Sequence, residues 1–207
     1  MTDDLHDKAV KYLKRTDSKL AKVIVEVGPC ELKPQGGSFA ILARSILSQQ
    51  ISVAAAKTIR RKLQALLPNR RMTAAAILNL SEDQLASVGV SNQKRGYLLD
   101  LATKVNDGEI NFRRIAKRPD EEVIDCLIQV KGIGRWTAQM FLLFGLGRPD
   151  VFAPDDLAIR NAMINIFQLK SHDKAPMEEI ASTWSPHRSV ASWYLWRSLD
   201  TAKKVSS

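Results

Sequence analysis

Apolar positions recur every three to four residues along almost the whole chain, the spacing that gives a helix one buried stripe and one wet face. The pattern predicts helices over about 5–27, 38–50, 52–67, 73–79, 81–87, 92–107, 120–130, 135–146, 156–168, 176–184 and 187–203. Gly, Pro, Ser and Asp punctuate these segments. Several starts carry a capping side chain: Ser52 before VAAAKTIRRKL, Thr73 before AAAILNL, and Ser81 with Asp83 and Gln84 in its first turn. The one strand-like run, VIVEV at 23–27, continues a helical pattern and stops at Gly28-Pro29 with no second strand to pair with, so it reads as helix. The expected fold class is all-α, with two packed helical lobes and a central cleft. No internal repeat or low-complexity tract is present, and GPCELKPQGG (28–37) and GRP (147–149) are too short for flexible linkers, so residues 1–207 are expected to form a single unit.

Length and composition agree with a packed core, since 45% of the 207 residues are apolar. Cys30 and Cys126 stand far apart without CxxC spacing, which excludes a disulfide scaffold, a zinc knuckle and a Cys-ligated iron–sulfur cluster, and suggests a reducing intracellular compartment. The N-terminal MTDDLHDKAVKYLKR is charged and lacks an apolar signal core, and no stretch approaches about 18 uninterrupted apolar residues. A protein that is neither secreted nor membrane-spanning is expected.

Charge changes the picture more. Lys and Arg outnumber Asp and Glu by 31 to 22, a formal net charge of +9, which favours a polyanionic partner and places nucleic acid first. Basic residues cluster at Lys57, Arg60, Arg61, Lys62, Arg70 and Arg71, and again at Arg113, Arg114, Lys117 and Arg118. Either run alone is equally a solvated helix face, and structural nucleic-acid binding would give the same balance.

The informative stretch is VKGIGRWTAQMFLLFGLGRPDVFAPDDLAIRNAM, residues 130–163. A helix ending at Val130, the turn Lys131-Gly132-Ile133-Gly134 and an immediate second helix make a helix-hairpin-helix over about 123–146. Glycines at 132 and 134 are expected to allow positive φ and close backbone approach. The first-turn amides of the second helix lack intrahelical partners and can hold a phosphate, assisted by the helix dipole. Lys131, Gly132, Ile133, Gly134 and Arg135 are therefore the candidate contacts to a nucleic-acid backbone, a grip that reads no sequence. The run RWTAQMFLLFGLG is apolar nearly all round and would anchor the hairpin in the core; Trp136 and Met140, four apart, share a face.

Pro154 then fixes the backbone ahead of two adjacent acids, Asp155 and Asp156, at the start of DLAIRNAMINIF. Both could simply be helix caps. An anion there is favoured by the helix N-terminus and opposed by burial.

The segment 130–163 resembles the signature of the helix-hairpin-helix DNA glycosylases. More closely, AILARSILSQQISVAAAKTI (40–59), LASVGVSNQKRGYLLDLA (85–102), KGIGRWTA (131–138), FAPDDLAIR (152–160) and WSPHRSVASWYLW (184–196) resemble the DNA-3-methyladenine glycosylase II family, in the same order and over about 38–200. The resemblance implies the helix-hairpin-helix glycosylase fold, without the N-terminal β-rich domain of longer members. It implies a monofunctional glycosylase of base excision repair that binds double-stranded DNA, flips out alkylated purines such as 3-methyladenine and 7-methylguanine, and hydrolyses the N-glycosidic bond.

Residue by residue, the resemblance makes Asp156 the catalytic acid and leaves Asp155 as the cap. As an anion beside C1′, Asp156 would stabilise charge developing on the sugar and position or deprotonate the attacking water. Trp136, Met140 and Trp196 match the base pocket, with Met140 where a relative has Tyr; Trp184 and Trp193 read as core. Electron-rich faces at Trp136 and Trp196 would favour the cationic alkylated bases. Gln50, with Ile51 next to it, matches the side chain that fills the hole left by the flipped nucleotide. Glycosylases that also nick the strand carry a nucleophilic Lys two residues past the second hairpin glycine; here that residue is Trp136, and Lys131 is expected to face DNA or solvent, so no lyase step is implied. No cofactor is required by this chemistry, although backbone carbonyls of Ile128, Val130 and Ile133 match a site for a Na+ or K+ ion. A monomer associated with DNA inside the cell is expected, in the cytoplasm or nucleoid of a bacterium or the nucleus of a eukaryote.

Two rival readings remain at this level. A non-catalytic DNA- or RNA-binding helix-hairpin-helix module accounts for the hairpin and charge but not for Asp156 and Trp136 together. A glycosylase for uracil, mismatched or oxidised bases shares fold and acid, but the Asn, Lys or Cys-ligated cluster expected at its diagnostic positions is missing.

Overall fold

Asp17 breaks what the hydrophobic spacing alone would carry as one helix over 5–27. Its carboxylate Oδ1 accepts the amides of Lys19 and Leu20, both at 2.9 Å, and so caps a second helix instead of continuing the first. Oδ2 accepts the indole Nε1–H of Trp184 at 2.9 Å, which ties the break to the core. The computed structural model describes residues 2–205, with side chains from 6 to 200. Among these are thirteen α-helices and no strand, the all-helical class that the periodicity predicts, with two more helices than the eleven segments it marks.

The chain divides into two compact units. The first, Met1–Pro34 with Gly147–Ser207, contains α1 (Thr2–Thr16), α2 (Ser18–Val27), α11 (Leu157–Phe167), α12 (Lys174–Ser182) and α13 (Arg188–Val205). Leu13, Leu20, Ile159, Met163, Trp184, Tyr194 and Leu195 fill its core. Trp184 is fully buried and meets Phe152 edge-on at 6.2 Å and Phe167 at 5.9 Å; with the buried Trp193 it has the core role expected of it.

The second unit, Gln35–Leu146, contains α3 (Phe39–Ser48), α4 (Val53–Leu66), α5 (Ala74–Leu78), α6 (Glu82–Ser87), α7 (Asn92–Asn106), α8 (Phe112–Ile115), α9 (Asp120–Leu127) and α10 (Arg135–Met140). Its core is built on Leu42, Ile46, Leu63, Ile77, Leu85, Leu98, Val123, Leu127 and Phe141. The predicted caps form: Ser52 accepts Ala55 N, Thr73 accepts Ala76 N, and Ser81 with Gln84 closes a reciprocal capping box. The short α8 falls in a segment read from sequence only as a basic cluster; Asn111 caps it by accepting the amides of Arg113 and Arg114, both at 3.1 Å. Residues 135–146, expected as one α-helix, change to a π-helical turn over Phe141–Leu146. No described helix is long and apolar enough to cross a membrane.

Candidate functional site

The hairpin begins where α9 runs out. Three acids in its first turn, Asp120, Glu121 and Glu122, suit the helix dipole, and the helix closes at Ile128. Val130 and Ile133 turn inward and are buried, and the Ile133 amide donates to the Val130 carbonyl at 3.0 Å. Between them Gly132 takes φ +79, and a Cβ there would lie 2.1 Å from the ring of Tyr97. Gly132 is thus required both by backbone conformation and by close packing. Gly134 is different from the sequence expectation: as N-cap of α10 it has φ −93, a conformation open to any residue, and a Cβ there would meet nothing within 4 Å.

Two bonds hold the hairpin from outside. The Lys131 amide donates to Asp100 Oδ2 at 2.9 Å, so it is already engaged, whereas Gly132 and Gly134 donate to no acceptor among the described residues. Gln49 Nε2 donates to the Gly132 carbonyl at 2.8 Å. The Lys131 side chain is exposed, as expected. Arg135, counted among the backbone contacts, donates through Nη2 to both carboxylate oxygens of Glu121 at 2.7 and 2.8 Å, which partly neutralises its charge.

Gln49 belongs to the loop between α3 and α4. Its neighbour Gln50 is exposed and left-handed at φ +54, an uncommon conformation for a side-chain-bearing residue. Ile51 is 37% exposed and Val53 87% exposed, so apolar side chains flank the tip where soluble surfaces usually place polar ones. On α10, Trp136 is 41% exposed in the first turn. Met140, one turn on, lines a concavity of about 250 Å³ with Arg44, Ser48, Arg60, Thr137 and Phe144.

In the first unit the cap expected of Asp155 is made by Asp156 instead. Asp156 is the N-cap of α11 and is buried; its Oδ1 accepts the Ile159 amide at 2.9 Å and the Trp196 indole Nε1–H at 3.0 Å. Asp155 is half-exposed and ion-paired with Lys174, and caps nothing. A single carboxylate therefore combines the cap with burial and a tryptophan donor.

The loop leading to Asp156 is fastened to α13. Asp150 accepts Arg188 Nε at 2.7 Å and Nη2 at 2.9 Å, the Arg188 amide at 3.2 Å and Ser185 Oγ at 2.8 Å. Burial pushes the Asp150 carboxyl up, but the hydrogen bonds of Arg188 and Ser185 with the Arg188 charge outweigh it and hold the group below its ordinary value. The buried Ser189 donates to Arg148 O at 2.6 Å and accepts Val151 N at 2.9 Å, and Ser192 reaches Val151 O at 3.4 Å. Ser189, Ser192 and Trp196 lie three and four apart, so one face of α13 reads the 148–156 loop.

Of the sequence-predicted residues, the structure joins Asp156 to Trp196 in one unit, and the hairpin to the Gln50 loop through Gln49 in the other. Gln49, Lys94, Tyr97, Asp100, Asp150 and Ser189 were missed, because each acts on a partner dozens of residues away and has no local spacing signal. No group of three or more His, Cys, Asp or Glu side chains among the described residues could hold a metal ion.

This architecture has close counterparts. The alkylbase DNA glycosidase-like protein mag2 of Schizosaccharomyces pombe is 30% identical over 201 residues, 94% of each chain. DNA-3-methyladenine glycosylase 1 of the same organism is 32% identical over 182 residues, 86% of this chain and 80% of that protein. The crystal structure of a DNA-3-methyladenine glycosidase from Bacillus halodurans matches with a TM-score of 0.87 at 29% identity, over 95% of this chain and 91% of that one. The 3-methyladenine DNA glycosylase Mag1 of Schizosaccharomyces pombe, in complex with abasic DNA, matches at 0.82 and 29% identity, over 93% and 97%. The family model of the HhH-GPD superfamily base excision DNA repair proteins matches residues 43–187. This chain belongs to the HhH-GPD superfamily of base excision DNA repair proteins.

Proposed function

We propose that this protein is a monofunctional DNA glycosylase that releases alkylated purines, 3-methyladenine and 7-methylguanine among them, from double-stranded DNA. The observation that carries the reading is Asp156, a buried carboxylate held at a helix N-terminus by the Ile159 amide and the Trp196 indole. The names of the full-length relatives point to the same chemistry.

In the reaction the C1′–N bond breaks and its electron pair leaves with the base. Asp156 stabilises the positive charge that develops on the sugar, and water adds at C1′ while its proton passes to the carboxylate. The products are a free base and an intact strand carrying an abasic site. No lysine stands at the position of the lyase nucleophile: two residues past the second hairpin glycine the residue is Trp136. Trp136, Met140 and Trp196 receive the flipped base, and aromatic faces favour cationic alkylpurines over normal bases.

Backbone binding falls to Gly132, Ile133 and Gly134, with Lys131 and Arg135 supplying charge, and Gln50 with Ile51 fills the vacated stack. The carbonyls of Ile128, Val130 and Ile133 would hold a Na+ or K+ ion that steadies the hairpin; Val130 spends one lone pair on Ile133 and has a second to give. The protein works as a monomer on DNA inside the cell. Incubation with methylated duplex DNA, followed by chromatography of the released bases, tests the reading. Release of 3-methyladenine and 7-methylguanine is expected, and no release contradicts it.

A further inference from the structure

One side of α7 holds both segments assigned above to DNA contact. Lys94 Nζ donates to the Leu47 carbonyl at 2.9 Å, at the end of α3 where a cation suits the helix dipole. Tyr97, one turn on, packs its ring against Gly132, and Gln93 Nε2 bonds its hydroxyl at 2.8 Å. Asp100, a further turn on, accepts the Lys131 amide. Residues 94, 97 and 100 stand three apart, so one helix presents a base for the Gln50 loop and then for the hairpin. The Gln49 side chain closes the assembly by bonding the Gly132 carbonyl directly.

The tip of that loop is not in a relaxed conformation. Gln50 is left-handed and exposed, and no described contact of its own side chain accounts for it. A conformation of this kind persists when its neighbours fix it. Gln49 is that neighbour: extended, half-buried and fastened to the hairpin.

We infer that Gln49 is a positioning residue that locks the Gln50 loop to the hairpin, so that phosphate grip and insertion of Gln50 into the duplex occur as one rigid movement on the α7 base. The inference rests on the proposed glycosylase function, which supplies the flipping step. A hairpin held by phosphate then carries the wedge to a fixed depth in the helix. Without the Gln49 bond the hairpin still grips, but the wedge no longer has a fixed position when it meets the stack.

The test uses the full chain with Gln49→Leu and Gln49→Met, each alone and combined with Gln50→Ala. Affinity for undamaged duplex, Tm and single-turnover excision at saturating enzyme are measured. Expected are duplex affinity and Tm close to the parent, an excision rate lower by about tenfold or more, and little additional loss from Gln50→Ala in the Gln49→Leu background. Independent sites multiply their losses, whereas coupled sites do not. An unchanged rate in both Gln49 variants, or losses that multiply, overturns the inference.

A parent protein that releases no base contradicts the proposed function instead, and hydrogen exchange of the free protein then decides the coupling. Gln49→Leu must speed amide exchange at residues 49–52 and 131–134 together. Faster exchange in one segment alone, or in neither, overturns it.

Discussion

The indole Nε1–H of Trp196 donates to Asp156 Oδ1 at 3.0 Å, on the same oxygen that accepts the Ile159 amide at 2.9 Å. Trp196 thus contributes a donor as well as an aromatic face, and substitutions separate the two. Trp196→Phe keeps a ring and loses the donor; excision of a cationic lesion and of neutral hypoxanthine should fall alike, by about tenfold, the scale of one hydrogen bond to a charged group. Trp196→Ala also removes the face, and the cationic lesion should lose a further 0.5–2 kcal/mol, roughly. Single-turnover rates on the two duplexes give both numbers. Equal losses on both lesions for Trp196→Ala remove aromatic selection of cations.

The two hairpin glycines should respond differently to the same change. Gly132→Ala forces a Cβ into the Tyr97 ring at φ +79 and should destabilise the fold by about 2 kcal/mol or more. Gly134→Ala meets open space at an ordinary φ and should leave Tm nearly unchanged. Gly134→Asp should weaken binding to every duplex by placing an anion at the proposed phosphate position, whatever base it carries. Thermal melts and anisotropy titrations on damaged and undamaged duplexes distinguish these outcomes; a Gly132→Ala protein as stable as the parent contradicts the packing role.

How much of this was legible in the sequence depends on the range of the interaction. Helix periods, the caps at Ser52, Thr73 and Ser81, and the hairpin around Gly132 are local, and periodicity with turn chemistry found them. FAPDDLAIR marks two acids at the start of α11, but which of them makes the cap was read wrongly, since it is Asp156 and not Asp155. Either acid could cap the same helix, and only the approach of Trp196 and Ile159 on one side and Lys174 on the other separates them. The break at Asp17 has a local cap on Lys19 and Leu20 but leaves the apolar spacing uninterrupted, and the tie of Asp17 to Trp184, 167 residues away, left no local signal. Gly134 was read as conformationally special because it neighbours Gly132, and φ alone corrects that. The π-helical turn at Phe141–Leu146 breaks no apolar pattern and left no signal.

The Asp150–Arg188 pair should make stability depend on acid. The folded Asp150 carboxyl lies below its ordinary value, so its contribution is present above about pH 4 and disappears as pH falls through the folded value. Asp150→Asn should lower Tm by about 3–6 °C at pH 7, and the difference from the parent should shrink below about pH 4. Melts from pH 7 to pH 3 provide the comparison. A difference constant across that range contradicts the assignment.

Trp136 in place of an amine predicts the outcome of borohydride trapping. With a lesion duplex the protein should form no covalent adduct, and the product strand should break only after alkali or heat. An adduct abolished by substituting one lysine, Lys131 first, would show a lyase step.

Asp156 is best tested beside its neighbour. Asn at position 156 can still cap α11 and accept the Trp196 indole, so Asp156→Asn should keep the parent Tm and duplex affinity. Its single-turnover release of 7-methylguanine should fall by about 100-fold or more, the scale of losing one preorganised charge at the transition state. Asp155→Asn, which breaks only the half-exposed pair with Lys174, should stay within about threefold of the parent. An Asp156→Asn protein that retains the parent rate, or an Asp155→Asn protein that loses more, contradicts Asp156 as the working carboxylate.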